Sequence, residues 1–401
     1  MRTAVIGLLV MVSSGFAAEF EVPLASNEFA RENTPISVSV STEIKPGTAL
    51  EVTLPDGTKV PGQLTGPSLL GGDKPRLNFI LPKLEKGKVI TVKVSDKPSS
   101  QATSFAWKKN EADQQEDLLF GDRPVLRYMH AKLDETNKDT RYATMKVYHH
   151  VFDPAGKRLV TKGETTGAFP HHRGLFYGFN RISYDGKSAD TWHCNKGESE
   201  THEKWISSEA GPVLGRHVVQ IDWHGQKGDV FAKESRELTA YNTAGGTLIE
   251  FASRLESTGA KIKLDGDPQH AGFQFRATQE VPDKTAKQTY YLRPDGKGEP
   301  GKFRNWPGDK QHVNLPWNAL SFVLDDQRYT CCYLDRPQNP KESRFSERDY
   351  GRFGSYFEAE VEPGKPLELN YRIWLQKGEM DVAGVQQLDD EFTHPALPAV
   401  K

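Results

Sequence analysis

The sequence predicts an all-β protein, because short runs that alternate apolar and polar residues recur along most of its length. Residues 35–42 and 49–54 alternate in this way, as a half-buried strand requires. Turn signals separate such runs, for example Pro-Asp-Gly at 55–57, where proline presets one φ angle and glycine accepts a positive one. No long amphipathic helix is recognisable in the pattern. These three observations predict antiparallel strands joined by tight turns.

The length and the strand spacing predict two domains. The chain has 401 residues, more than one ordinary domain. Strand patterns at roughly ten-residue spacing predict a small N-terminal β-sandwich of immunoglobulin-like size over residues 19–107, a part without histidine. The charged run 108–117 is the expected linker, with a short surface helix as the alternative.

The longer strand patterns of residues 118–395 predict the larger domain, which carries the candidate site. So many antiparallel strands cannot form one flat sheet. We therefore expect a large two-sheet sandwich with the site on one concave face or rim. Residues 395–401 are expected to form a tail.

Residues 1–18 have the three parts of a secretory signal peptide. Arg2 supplies the positive charge, residues 4–12 form a short apolar run, and Ala17 and Ala18 are the small residues of a cleavage site. The apolar run is too short to span a bilayer, and no later stretch is long enough. A buried N-terminal strand is the alternative. We expect an exported protein, periplasmic or secreted, without a membrane span.

The composition describes a well-hydrated globular chain without a strong charge bias. Hydrophobic residues make up 36%, and the formal net charge is −2. This balance provides no general attraction to nucleic acid or anionic lipid, so nucleic acid is not an expected partner.

The three cysteines do not form a disulfide framework. Cys331 and Cys332 are adjacent and would point to opposite faces of a strand. At most one of them can pair with Cys194, and ordinary buried thiols are the favoured interpretation.

Histidines are concentrated in one part of the chain, which indicates a site. Nine of the 12 histidines fall between residues 130 and 224. They are His130, His149, His150, His171, His172, His193, His202, His217 and His224.

The run Phe-Pro-His-His-Arg-Gly at 169–174 is the first motif with candidate chemistry. Pro170 favours extended geometry for the residue before it, so His171 and His172 are expected to point in opposite directions. Arg173 then shares a side with His171. An imidazole beside a guanidinium suits an anionic ligand or a developing oxyanion. The alternative is a core histidine and a structural ion pair.

The second candidate motif is Asp-Thr-Trp-His-Cys at 190–194, followed by a charged run at 196–203. If residues 190–194 are extended, Trp192 lies on the face opposite His193. Its indole ring then suits stacking on a sugar ring, although a core role is equally compatible. In the charged run, Glu200 and His202 share a strand face, which fits acid–base work or a metal-ligand pair. A solvated loop is the alternative for this run, which also contains Glu203.

Residues 267–277 predict a strand with a polar row on one face. His270, Gln274 and Arg276 lie on that face, and such a row is costly in a half-buried strand unless it lines a cleft or is paired. Structural pairing is the alternative. Arg352, in the loop-like run 348–354, is a further candidate, and a surface position is its alternative.

Known cofactor motifs are not recognisable. The sequence has no His-Glu-x-x-His pattern, no Cys-x-x-Cys pair and no calcium loop, so it requires no cofactor. The histidines can still converge on a divalent metal. A glycine-rich phosphate loop and a Gly-x-Ser-x-Gly elbow are also lacking, which disfavours nucleotide and serine-hydrolase chemistry.

These motifs give the chain a resemblance to an exported bacterial family known as "methane oxygenase PmoA". The resemblance covers roughly residues 120–378 and is carried by four segments: 170–174, 190–193, 270–276 and 350–354. The authentic methane monooxygenase subunit is an integral membrane protein, unlike this chain. The family occurs in polysaccharide-degrading bacteria, and its β-rich domain is similar to galactose-mutarotase-like supersandwiches. The resemblance therefore implies a galactose-mutarotase-like β-supersandwich and a carbohydrate ligand, and it assigns no catalytic residues.

The leading hypothesis is a carbohydrate-active hydrolase, lyase or epimerase that uses histidine acid–base chemistry and arginine stabilisation of negative charge. The catalytic candidates are His171, His172, His193, His270 and Glu203. The substrate-binding candidates are Arg173, Trp192, Gln274, Arg276 and Arg352. One alternative is a non-catalytic glycan-binding protein. Another is an oxygenase with copper or another metal bound by histidines, as the name of the resembled family suggests.

Overall fold

The structure is a computed structural model that describes residues 19–110, 112, 114–267 and 269–398. The expected signal peptide, residues 1–18, lies outside the described residues. Across the described part of the chain, antiparallel strands dominate and helices are few, which confirms the all-β prediction. Within the same residues, none of the helices has the length and apolar character needed to cross a membrane.

The first six strands form a sheet of their own around a separate apolar core. They are β1 (Glu19–Ala25), β2 (Arg31–Ser39), β3 (Ala49–Thr53), β4 (Lys59–Thr65), β5 (Arg76–Leu84) and β6 (Val89–Ser95). Their hydrogen-bonded order is β2-β5-β4-β3-β6-β1. Leu50, Phe79 and Val92 are among the buried side chains of this core.

The rest of the chain forms the larger part of the molecule. Its first half contains β7 (Phe105–Asn110), β8 (Gln115–Phe120), β9 (Arg123–Met129), α1 (Lys138–Thr144), β10 (Tyr148–Val151), β11 (Leu175–Phe179), β12 (Ile182–Tyr184), β13 (Lys187–Ala189), β14 (Ser199–Ala210), β15 (Leu214–His224), β16 (Val230–Tyr241) and β17 (Gly246–Ser257). Its second half contains β18 (Ile262–Leu264), β19 (Ala271–Arg276), a π-helix (Val281–Thr285), a 3-10 helix (Ala286–Gln288), β20 (Tyr290–Arg293), β21 (Gly296–Lys297), β22 (Trp317–Leu324), β23 (Gln327–Asp335), β24 (Arg344–Arg348), β25 (Arg352–Tyr356), β26 (Ala359–Val361), β27 (Leu367–Lys377), α2 (Val382–Thr393) and β28 (Leu397–Pro398).

Two large sheets pack over one extensive core. The eight-stranded sheet has the order β24-β25-β19-β11-β10-β9-β8-β7, and the nine-stranded sheet has the order β14-β15-β16-β17-β27-β23-β22-β20-β21. A small sheet, β13-β12-β18-β26, lies beside them. Side chains of both large sheets, such as Tyr177 and Phe273 from one and Phe251 from the other, meet in the core.

The outer face of the eight-stranded sheet positions the site. Phe176 of β11 is paired with Gln274 of β19, and strand alternation turns both away from the core that holds Tyr177 and Phe273. On this outer face Phe176 packs with Tyr148 and Trp192 in a small separate cluster. The segment after β13 that carries Trp192 therefore lies over the outside of the sheet.

The expected linker at 108–117 is wrong, because residues 108–110 and 115–117 lie in two paired strands of the eight-stranded sheet. Strand β7 pairs with β8 from Phe105 to Asn110. Lys108 lies opposite Asp117 and Lys109 opposite Glu116, and such opposite-charge pairs stabilise adjacent strands. The run resembles a linker in the sequence because it has no alternating apolar residues that would identify a strand.

The end of the chain also differs from the expectation, because it contains a helix and a strand. The side chain of Asp381 caps α2 by accepting a hydrogen bond from the Gly384 amide at 2.8 Å, and Val385 and Phe392 are buried in a third apolar cluster beside the nine-stranded sheet. Beyond α2, β28 pairs with β1, so part of the expected tail extends the first sheet to seven strands.

The two parts of the molecule also meet through side-chain contacts. The Gln63 carboxamide oxygen on β4 accepts hydrogen bonds from the Val213 and Leu214 amides at 3.1 and 3.0 Å. The three cysteines are buried free thiols, as the favoured interpretation had it.

Strand β14 brings one carboxyl group into the interior. Glu200 is 1% exposed, and a Cβ atom at Gly178 of β11 would lie 3.2 Å from its Oε1 atom. Burial raises the pKa of Glu200 to about 8, although nearby Lys146 and Arg236 lower it. Three residues further on, Glu203 is exposed on the same strand.

We predict that Glu200→Gln becomes increasingly more stable than the unchanged protein as the pH rises. A raised folded-state pKa contributes stability that is fully present below the unfolded pKa and is lost as the pH rises through about 8. Chemical denaturation at pH 5 and pH 9 should show a relative gain on the order of 4 kcal/mol in the free energy of unfolding. Glu203→Gln is the matched control and should show no such gain. Parallel pH profiles for the two variants would contradict the prediction.

Candidate functional site

Three histidines from three separate segments converge on the outer face of the eight-stranded sheet. One potential ligand atom from each of His171, His193 and His270 lies within 4.8 Å of the others. The ring centroids of His193 lie 4.6 Å from those of His171 and 4.9 Å from those of His270. All three side chains are partly exposed. The two motifs around 170 and 270, about a hundred residues apart, therefore share one site, which we call the three-histidine site.

The segment that carries His171 is a tight turn, not the extended strand that the sequence predicted. The His172 amide donates to the Phe169 carbonyl at 3.0 Å, and Phe169 has a φ of 50° despite the proline that follows it. Both rings therefore lie on the same side, with centroids 4.2 Å apart. Gly174 ends the turn with a positive φ, and a Cβ atom there would lie 2.1 Å from the His149 carbonyl oxygen.

Arg173 fastens this turn to the end of α1. Its guanidinium donates to the carbonyl oxygens of Pro170 at 3.2 Å, Ala143 at 3.0 Å and Tyr142 at 2.5 Å, and it is 2% exposed. The carbonyls of Tyr142 and Ala143 belong to the last turn of α1, where a helix leaves its carbonyls without intrahelical partners. The contacts make Arg173 a structural residue that positions the turn.

His193 is held by its own turn. The Asp190 Oδ1 atom accepts hydrogen bonds from the Trp192 and His193 amides at 3.0 and 2.8 Å, and Oδ2 contacts His193 Nδ1 at 2.8 Å. The Cys194 amide closes the turn on the Asp190 carbonyl at 2.9 Å, with a φ of 54° at Cys194. An extended segment, the condition under which Trp192 and His193 would lie on opposite faces, would have separated these groups.

His270 is held in the same way, three residues after an aspartate. Asp267 Oδ1 contacts His270 Nδ1 at 2.7 Å and accepts the Gln269 amide at 2.9 Å, while Oδ2 accepts the Asn180 side-chain amide at 2.6 Å. Burial opposes ionisation, but hydrogen bonds from His270 and Gln269 hold the pKa of the Asp267 carboxyl well below its usual range. Asp190-x-x-His193 and Asp267-x-x-His270 thus use one local design twice.

Trp192 and His172 form the buried floor beside the site. Trp192 is 0% exposed, and its indole N–H donates to His172 Nε2 at 3.1 Å. A fully buried indole offers no face to a sugar ring, so of the two alternatives the core role is the one this position fits. His172 is 1% exposed, and burial, with the nearby charge of Arg352, holds its pKa well below the usual value.

The polar row on β19 is internally paired. Gln274 accepts a hydrogen bond from Arg352 at 2.9 Å, and Arg352 also donates to Ser346 Oγ at 3.1 Å. Arg276 donates to the carbonyl oxygens of Tyr350 and Ala168, and burial lowers its pKa to about 10. The structural-pairing alternative fits Gln274 and Arg276 better than direct contact with a ligand. Arg352 begins strand β25 and is 1% exposed, so the loop and surface positions considered for it are wrong.

Glu203 and the remaining histidines do not belong to the three-histidine site. Glu203 is exposed on β14 and accepts a hydrogen bond from the Thr201 hydroxyl at 2.6 Å. On the inner side of the eight-stranded sheet, His149 Nε2 contacts His217 Nε2 at 2.9 Å, and Tyr128 stacks on His149 with centroids 4.5 Å apart. The concentration of histidines between 130 and 224 therefore reflects two clusters on opposite faces.

The charges around the site are mixed. Lys146 is 6% exposed and its ammonium donates to the Trp192 carbonyl oxygen. Burial first, and then the charge of Lys146, lowers the pKa of His171 to about 2. The imidazole of His171 is therefore neutral, and its Nε2 atom is buried without a hydrogen-bond partner.

An exposed aromatic side chain borders the histidines. Phe169 is 46% exposed and stacks on Tyr350 with centroids 4.6 Å apart. Backbone strain of the kind found at Phe169 and Cys194 persists where the surrounding structure imposes it, and such residues cluster at functional sites.

A polar cleft adjoins the supports of the site. It has a volume of about 480 Å³, and its lining includes Asn180 and Asp190 together with Arg181, Lys196 and Lys263. Asp190 supports His193, and Asn180 supports Asp267. The site and the cleft are thus connected through the same side chains.

Three partly exposed imidazoles can transfer protons or bind a transition metal through their nitrogen atoms. All three histidines could be recognised from the sequence, whereas Phe169, Lys146 and the supporting role of Asp267 were not predicted from it. The repeated Asp-x-x-His spacing was a visible signal for the supports. The positions of Lys146 and Phe169 depend on a turn that no local pattern predicted.

A family model described as "Family of unknown function (DUF6807)" matches residues 115–389. A comparison with curated proteins finds no match. The chain is similar to the GalM/aldose epimerase homologue from C. elegans, with 9% identity and a TM-score of 0.30 over 70% of this chain and 100% of that one. It is also similar to a galactose mutarotase related enzyme from Lactobacillus acidophilus, with 9% identity and a TM-score of 0.29 over 69% and 97%.

Likenesses at these TM-scores carry no argument about the activity of this chain. The family match, in contrast, spans well over half of the sequence and includes all three segments of the three-histidine site. The chain belongs to the family of unknown function DUF6807.

Proposed function

We propose that the protein is an exported carbohydrate-active enzyme that acts on a glycoside or sugar derivative at the three-histidine site. One observation carries this proposal: two Asp–His pairs and a third imidazole converge at a partly exposed point. An imidazole held by a carboxylate at Nδ1 is oriented to exchange a proton through Nε2.

Proton transfer is common to the reactions that the proposal includes. A hydrolase activates water, a lyase removes a proton beside a carboxyl group, and an epimerase removes and returns a proton at a stereocentre or ring oxygen. Each needs a group that both accepts and donates protons near neutral pH. His193 and His270, each bonded to its aspartate, have the geometry for that role.

The surroundings support a sugar as the substrate. The exposed face of Phe169 offers an apolar surface to the C–H side of a pyranose ring. Tyr350 stacks on the phenyl ring of Phe169 and keeps it in place. The adjoining polar cleft offers hydrogen-bonding groups to hydroxyls. An apolar wall beside a polar cleft matches the two kinds of surface that a sugar presents.

The proposal gives Arg173 and Arg276 a different role from the substrate-binding role predicted from the sequence. Arg173 and Arg276 donate to backbone carbonyls, so they hold the site together and do not face a substrate. Lys146 also donates to a backbone carbonyl, that of Trp192, but its charge acts on His171, so it takes the place of the arginines in the proposal. It would stabilise negative charge that develops on the substrate.

We predict that His193→Ala and His270→Ala lose activity on the true substrate by about 10²- to 10⁴-fold, the range expected for general acid–base groups. The substrate comes from a panel of poly- and oligosaccharides, including uronates, with products analysed by mass spectrometry. Addition of water identifies a hydrolase, cleavage without mass gain a lyase, and an isomer of equal mass an epimerase. His224→Ala, a partly exposed histidine outside the site, is the control and should keep full activity.

Folded His193→Ala and His270→Ala variants that turn over the substrate at the unchanged rate would contradict the proposal. Binding of a glycan by the unchanged protein without any product would favour the non-catalytic alternative. A product that has gained oxygen would favour the oxygenase alternative.

We predict that Phe169→Ala raises KM by about threefold to tenfold and leaves kcat nearly unchanged, because the ring contributes binding energy of about 1 kcal/mol without touching the proton. Phe169→Tyr, which keeps the ring, should restore KM. Steady-state kinetics on the identified sugar provide the measurement, and Phe303→Ala, the change at another exposed phenylalanine, is the control. An equal effect of the two alanine variants would remove Phe169 from the substrate site.

A further inference from the structure

We propose that His171, His193 and His270 bind one divalent first-row transition-metal ion. This goes beyond the proposed function, because it assigns a ligand that the carbohydrate hypothesis does not require. With an ion bound, the imidazoles would hold it through their nitrogen atoms, and a water on the ion would supply the proton transfer that the proposed function requires.

The distances support a site that closes around an ion. The three potential ligand atoms lie within 4.8 Å of one another. In a tetrahedral site with metal–nitrogen bonds of about 2.1 Å, ligand atoms lie about 3.4 Å apart. The His193 and His270 side chains are 23% and 28% exposed, so they have room to move the remaining distance by small rotations.

The hydrogen bonds around the histidines are those that metal ligands require. Asp190 and Asp267 each engage the Nδ1 atom of their histidine, at 2.8 and 2.7 Å, which leaves Nε2 available. Histidine ligands in metalloproteins almost always donate their second ring N–H to such a group. Two independent segments have built the same carboxylate–imidazole pair and aim both pairs at one point.

His171 supplies the independent observation. Its Nε2 atom is buried and has no hydrogen-bond partner. A buried polar atom without a partner is costly and rare, so it calls for a ligand. A metal ion at the centre of the three rings would satisfy this nitrogen.

The nearby charges permit a cation and favour an anion on it. Asp190 and Asp267 balance the two positive charges of the ion through the imidazoles that they support. Lys146 and Arg352 act electrostatically on His171. A water-derived hydroxide or a substrate carboxylate on the metal would therefore be favoured.

The donor set selects the class of metal. Three imidazoles suit zinc, copper, nickel, cobalt or iron, whereas calcium and magnesium prefer oxygen ligands. The Cys194 thiol follows His193 but is buried and directed at the Thr191 carbonyl oxygen, at 3.4 Å. The site therefore has three nitrogen ligands and an open position.

The test is metal binding by purified protein stripped with a chelator. We expect calorimetry with Zn²⁺ to show one site per chain, and Co²⁺ to produce visible absorption bands typical of nitrogen ligation. His171→Ala and His270→Ala should weaken Zn²⁺ binding more than 100-fold, and Asp267→Asn about 10- to 100-fold. His224→Ala should bind as the unchanged protein does.

Absence of stoichiometric Zn²⁺ binding, or equal affinity in His270→Ala, would overturn the proposal. The Co²⁺ spectrum of the unchanged protein decides the matter even if the alanine variants fail to fold, since its absence also overturns the site. The two proposals fail separately. Sugar turnover by stripped protein that binds no metal would support the carbohydrate function and overturn the metal site. Metal binding without turnover of any sugar would support the metal site and overturn the carbohydrate function.

Discussion

The three-histidine site depends on one local interaction used twice, an aspartate that binds both its own turn and the histidine three residues later. In each case a single carboxylate accepts a backbone amide and also engages Nδ1 of the imidazole. Ring orientation is thereby coupled to backbone conformation, so the side chain loses little additional freedom when it binds a ligand. Asp190 and Asp267 belong to different segments, and the fold has only to bring two prepared units together.

The fold does this with the outer face of the eight-stranded sheet. Neighbouring strands β11 and β19 carry Phe176 and Gln274 outward, and Trp192 packs on that surface as a fully buried support. Arg173 attaches the turn at residues 169–174 to α1, and Arg276 donates to the Tyr350 carbonyl. These buried guanidinium groups are committed to carbonyl oxygens, since an unpaired one would carry a desolvation cost of several kcal/mol. The two arginines lie near the histidines because they hold the backbone of the site in place, whereas Phe169 and the three imidazoles are partly exposed.

Much of this organisation could be predicted from the sequence, because strand alternation and turn residues are local signals. The all-β fold and the three histidines of the site came from such signals. The strands at residues 108–110 and 115–117 and the two turns did not, because their conformations depend on partners outside them: Asp117 on Arg127 of the next strand, and His172 on the indole of Trp192. The rule that proline extends the residue before it failed at Phe169, where tertiary contacts impose a positive φ. Helix α2 was overlooked although Val385 and Phe392 have helical spacing, because polar residues surround them.

X-ray absorption at the zinc K-edge, on protein loaded with one equivalent of Zn²⁺, tests directly whether His171, His193 and His270 bind one ion, because it reports the identity and number of ligands. We expect three imidazole nitrogens at about 2.0 Å, completed by oxygen from water. A first shell with fewer than three imidazoles, or one that contains sulfur, would contradict a three-histidine metal site.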